Sequence, residues 1–99
     1  MQGATILIER NRTSWLLFRN IGIWLDDERK GRIGRMTTLE IHVSPGDYIL
    51  QARLDWNRSP QYPITVAEGA FLHYVVLGMR TPRFMLPDGS PLPSINPWA

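Results

Sequence analysis

Ninety-nine residues, 43% of them hydrophobic and 20% charged, suffice for one modest core and leave nothing for a second domain. The absence of cysteine excludes a disulfide scaffold, and no apolar run approaches the ~20 residues of a membrane-spanning helix. Eleven basic against nine acidic residues give a net charge of +2, too small for a broad field that steers nucleic acid.

The chain opens Met1-Gln2-Gly3-Ala4 without the positively charged segment of a signal peptide, so it reads as cytoplasmic. Thr5–Arg10 is the first predicted strand, with Ile6 and Ile8 on one face. Asn11-Arg12-Thr13-Ser14 is a turn. Trp15–Leu25 is one long strand or two, since Arg19-Asn20 and Gly22 are bulge-compatible. Its second half alternates, with Ile21, Ile23 and Leu25 on one side and Gly22 and Trp24 on the other.

Asp26-Asp27-Glu28-Arg29 is a polar hairpin connection, and Lys30–Arg35 returns as a short strand with Ile33 inward. Thr37–Val43 points Leu39, Ile41 and Val43 inward and Thr38, Glu40 and His42 outward. Ser44-Pro45-Gly46-Asp47 fits a type II turn: Pro presets φ at the first central position and Gly tolerates the positive φ at the second. Tyr48–Trp56 groups Tyr48, Leu50, Ala52, Leu54 and Trp56 on one face, with Gln51, Arg53 and Asp55 on the other. Tyr62–Val66 carries Pro63, which cannot donate a ladder hydrogen bond and so marks an edge strand. Ala67-Glu68-Gly69 is a turn. Ala70–Met79 is apolar on both faces, as expected of a central strand or of one that meets a partner or the tail.

About seven short strands without a crossover helix predict an all-β fold, an antiparallel β-sandwich; a small barrel is the alternative. Residues 1–80 form this domain. Residues 81–99 form a Pro-rich extension holding five of the eight prolines together with Phe84, Met85, Leu86, Leu92, Ile95 and Trp98. Proline lowers the entropy lost on ordering, and so many large apolar side chains are not left in water, so the tail is expected to dock. It would serve in cis as a lid or in trans as an oligomer clasp; trans is favoured because Pro82 and Pro87 project the chain outward.

One run of residues has a familiar order. Ile21-Gly22-Ile23-Trp24-Leu25-Asp26-Asp27 leads into a basic return with Gly31 and Gly34, then Leu39 to Val43, Ser44-Pro45-Gly46-Asp47-Tyr48 and Val66-Ala67-Glu68-Gly69. Over residues 5–78 this resembles the PEGA-like and transthyretin-like β-sandwich modules of bacteria. The resemblance implies a non-enzymatic module used for attachment or assembly, with no catalytic residues to carry over. One departure is the hairpin, where Asp27-Glu28 stands in place of the usual Gly.

Candidate chemistry is sparse. No Ser lies in a Gly-x-Ser-x-Gly elbow and no Cys is present, so no catalytic residue is assigned and no enzymatic activity is expected. His42 and His73 lack metal-ligand spacing, and Asp26, Asp27 and Glu28 lack the alternating spacing of a calcium loop; neither metal nor cofactor is expected. Ten of the eleven basic residues are arginine, which suits planar pairing with carboxylates. Arg29, Lys30, Arg32 and Arg35 cluster beside the acidic turn and, with Trp24, make up the candidate binding surface. Leu72, Tyr74, Val76, Phe84, Leu86 and Trp98 are the candidate interface. The expected function is assembly, through a homo-oligomer or a protein partner. Recognition of carbohydrate or nucleic acid by Trp24 and the arginines is the alternative. Strong nucleic-acid binding is not expected, because the adjacent acids cancel most of the local field, and no membrane partner is expected.

Overall fold

The period-two alternation of the sequence becomes two sheets that face each other. The computed structural model describes residues 3–10, 20–34, 38–54, 57–77 and 82–95. Within them lie β1 (Ala4–Arg10), β2 (Ile21–Leu25), β3 (Glu28–Ile33), β4 (Thr38–Val43), β5 (Gly46–Leu54), β6 (Asn57–Arg58), β7 (Tyr62–Val66), β8 (Phe71–Leu77) and β9 (Arg83–Met85). One sheet has the order β4-β1-β8-β9. The other runs β3-β2-β5-β6, with β7 also on β5. We refer to them as the β1 sheet and the β5 sheet.

The fold is an all-β sandwich. Ile6 and Ile8 of β1, Ile41 of β4 and Val76 of β8 meet Ile21, Ile23, Leu25, Leu50, Ile64 and Val66 of the β5 sheet in one buried cluster. Full burial of each such side chain contributes roughly 1.5–3 kcal/mol before conformational entropy is charged against it. Pro63 sits on β7, an edge strand that pairs only with β5 among the described residues, as its missing N–H requires. β8 is central, between β1 and β9.

The structure departs from the sequence reading in four places. Nine strands are present among the described residues rather than about seven, and β1 runs parallel to β8; the chain between them crosses to the β5 sheet, returns as β4 and crosses again, so the two are not joined by a hairpin. The hairpin between β2 and β3 has two turn residues rather than four: Asp26 and Asp27, both with positive φ (51° and 62°). That is the pattern of a type I′ turn, whose twist matches the flanking strands. Ser44–Asp47 is not a type II turn. It carries the chain from one sheet to the other, and Gly46 has φ 154°, far from the +80° that a type II turn needs. Tyr48 Oη instead donates to the Ser44 carbonyl at 2.6 Å.

The fourth departure is the tail, whose described residues, 82–95, dock in cis. Pro82 is fully buried and returns the chain onto β8 instead of projecting it outward. β9 extends the β1 sheet, and Met85 bridges Pro91 beyond a tight turn. Phe84 packs edge-on against Tyr62 of the opposite sheet at 5.3 Å, and its amide donates to Tyr62 Oη at 3.2 Å. Farther along, the Ile95 amide donates to the Gln61 carbonyl at 2.7 Å. The tail is thus a strap from the edge of one sheet to the edge of the other. Arg10 adds a second tie: its buried Nη1 lies 3.5 Å from the Ile33 carbonyl, and burial lowers the guanidinium pKa.

Candidate functional site

Side chains that the core does not use define what the molecule can present. The inward positions of β8 and the tail are used. Val76 is 0%, Phe84 3% and Tyr74 7% exposed, and Leu72 and Leu86 pack against the same cluster. Burial also raises the Tyr74 hydroxyl pKa. Of the candidates for a partner interface, Tyr74, Val76 and Phe84 are buried in the core between the sheets, and Leu72 and Leu86 are partly buried against it. Trp98 lies outside the described residues, as do Arg35, Trp15, Trp56 and the turn at 11–14.

The outward face of the β5 sheet is different. Cross-strand register places Arg32, Gly22, Arg53 and Arg58 in one row across β3, β2, β5 and β6. The next row holds Arg29, Trp24 and Gln51. Beyond it, Asp26 meets Ile49, which pairs with Pro63, and Asp47 pairs with Thr65. Gly22 makes room for the indole: a Cβ there would lie 3.2 Å from Trp24 Nε1.

Arg53 is held on this face. Its guanidinium stacks 3.8 Å from the Trp24 ring centre. Its Nε donates to Gln51 Oε1 at 3.1 Å, and its Nη2 pairs with Asp27 Oδ1 at 3.2 Å. Gln51 is anchored in turn, its Nε2 donating to the Ser59 carbonyl at 3.0 Å. The network draws Arg53 away from Arg58, directly opposite, where facing like charges disfavour pairing. Arg29, Arg32 and Arg58 are exposed and make no ion pair among the described residues. Lys30 occupies a bulge in β3 and pairs with Glu28 at 3.4 Å.

The other end of the face is acidic. Asp26 Oδ1 accepts from the Ile49 amide at 2.8 Å, and Asp47 Oδ1 accepts from Thr65 Oγ1 at 2.8 Å. Two adjoining hollows of about 220 and 400 Å³ share Asp26 and Ile49, and so form one shallow groove floored by Ile49 and Pro63. The face is therefore bipolar, basic at the Arg53 row and acidic at the Asp47 row, with Trp24 and Ile49 between them.

Both histidines lie on the outward face of the β1 sheet. His42 Nδ1 is 3.3 Å from Thr5 Oγ1, and His73 Nε2 is 3.1 Å from Glu9 Oε2. Phe71, 62% exposed, is beside them. Among the described residues no cluster of three or more His, Asp or Glu could hold a metal, and no helix is long and apolar enough to cross a membrane.

The chain matches no family model, no curated protein and no solved structure. The site therefore rests on its own geometry. Of the residues on this face, sequence reasoning named Trp24, Arg29 and Arg32 as candidates but not Arg53, Arg58 or Asp47. Alternation does place Arg53 with Gln51 on the outward side of β5; only strand register shows that it opposes Gly22 and covers Trp24.

Proposed function

We propose that the chain is a non-enzymatic β-sandwich module that acts by association with protein, through the outward face of the β5 sheet. The observation that supports this is the bipolar row structure: Arg32 and Arg58 at one end, without ion pairs among the described residues, Asp26 and Asp47 at the other, and Arg29 beside a Trp24–Arg53 stack between. Trp and Arg at the centre of a patch are the residue types that most often anchor protein interfaces. Opposed charges at its two ends fix orientation more than they add affinity.

A smaller anionic ligand at the basic end is the second reading, favoured by Arg32 and Arg58 with Arg29 one row away. Stacking of a base or sugar on Trp24 is disfavoured, because Arg53 already occupies one face of the indole. The acidic half of the face also repels a long polyanion.

The test compares the two outward faces. Arg32→Glu changes the β5 face and Phe71→Ser the β1 face. The wild-type chain's association, with itself in sedimentation or with a protein captured from source-cell extract, should fall at least about tenfold with Arg32→Glu and survive Phe71→Ser. Loss with Phe71→Ser and retention with Arg32→Glu moves the site to the β1 face and overturns the proposal.

A further inference from the structure

The charge distribution of the β5 face is self-complementary, and from this we infer that its partner is a second copy of the chain, docked face to face about a two-fold axis that crosses the strands. The inference rests on the association reading above and names its partner.

The geometry selects the axis. Two identical faces can oppose each other about a two-fold along the strands or across them. An axis along the strands sets the arginine row of one copy against the arginine row of the other. An axis across the strands at the level of Leu50 reverses the rows. The Arg53–Arg58 end of one copy then covers the Asp47–Thr65 end of its mate, and the reverse holds at the other end. Arg53 lies six positions beyond Asp47 on β5, about 20 Å in an extended strand, and Leu50 is their midpoint. The same operation brings Arg32 toward the Asp26–Asp27 turn of the mate and seats Trp24 and Ile49 near the axis. The basic end of each copy then faces the acidic end of the other.

The face has room for such a pair. Its four neighbouring strands and the nine residues of β5 span roughly 20 by 30 Å. That is roughly 600 Å² per copy, near the lower bound for specific interfaces, so a reversible dimer is expected rather than an obligate one.

Charge reversal with the full chain tests the arrangement. Arg58→Glu and Asp47→Arg are both at exposed positions outside the core. Each alone places two like-charged contacts in the dimer, one at each end, and should weaken it by about a hundredfold. Mixed in equal amounts, the two variants regain both contacts as a heterodimer: the two introduced charges, now opposite in sign, face each other at one end, and the native Arg58–Asp47 contact forms at the other. Light scattering should then read the doubled mass for the mixture and the monomer mass for each variant. Circular dichroism confirms that each is folded, and Arg58→Gln supplies a variant without reversed charge that should weaken the dimer less. A mixture that stays monomeric, or a wild-type dimer indifferent to both changes, overturns the arrangement. A wild-type chain that is monomeric at about 1 mM but captures another protein in an Arg32-dependent way overturns self-docking and leaves the association reading standing.

Discussion

The β2–β3 turn offers a sharp test of the local physics. Asp26 and Asp27 both sit in the left-handed region, where a non-glycine residue costs roughly 1–2 kcal/mol and Asp falls at the low end. Asp26 offsets this cost: its Oδ1 accepts from the Ile49 amide while its own amide donates to the Ile49 carbonyl. Among the described residues Asp27 has only its pair with Arg53, and its side chain is 84% exposed, so screening leaves that contact well under ~0.5 kcal/mol. Asp27→Gly should relieve roughly 1 kcal/mol of backbone cost and return part of it as glycine's greater unfolded entropy. The net gain is about 0.5 kcal/mol, a rise in Tm of about 2–4 °C for a domain of this size. Asp26→Gly relieves the same backbone cost but loses a charge-assisted hydrogen bond of about 1.5–3 kcal/mol, so it should lower stability by roughly 1 kcal/mol. Asp26→Ala loses the bond and keeps the strain, for about 2 kcal/mol. Urea unfolding of the three variants yields the ranking. Stabilisation by Asp26→Gly, or destabilisation by Asp27→Gly beyond ~0.5 kcal/mol, would refute the assignment of roles within the turn.

Other expectations follow from the packing. Phe84→Ala removes the tail's contact with Tyr62 and should cost about 3–4 kcal/mol in denaturant unfolding; a loss below ~1 kcal/mol shows that the strap is not bound as described. Truncation after Arg80 should lower stability further and raise binding of a dye for apolar surface, without abolishing self-association. Asp88 accepts hydrogen bonds from the Ser90 side chain and amide, which hold its carboxyl below the usual aspartate range. Its contribution is therefore present above the unfolded pKa and lost as pH falls through the lower folded value. NMR titration should show that midpoint, with Ser90→Ala returning it toward normal. At about 0.15 M salt, mixed-sequence oligonucleotides should bind no tighter than about 1 µM; submicromolar binding favours the anionic-ligand reading.

Much of the fold was legible because alternation reports which side a residue faces. Leu39 and Ile41 against Glu40 and His42 marked the two sides of β4, and Tyr62, Ile64 and Val66 lie inward on β7 as their spacing implies. Pro63 identified an edge. What alternation does not report is the neighbour. The parallel β1–β8 pairing joins segments more than 60 residues apart, and nothing local encodes it. The same limit applies to the site. Trp24 and Arg32 could be read as outward residues near a basic run, but the Arg53 stack and the Arg–Asp polarity arise only when three strands take their register. The tail shows the converse. Its apolar content indicated docking, yet inferring direction from Pro82 failed, because a fixed φ does not tell which way the flanking residues carry the chain.

Sedimentation velocity of the wild-type chain, from about 10 µM to 1 mM at low and at high salt, bears most directly on the claim that the bipolar β5 face brings two copies together. Charge pairs weaken as the Debye length falls from about 10 Å at 0.1 M salt to 3 Å at 1 M, whereas burial of an apolar patch such as that around Phe71 does not weaken with salt. A dimer through this face grows with concentration from the 11.4 kDa monomer toward twice that mass at low salt, and is suppressed at high salt. A single monomeric species throughout, or association that strengthens with salt, would contradict it.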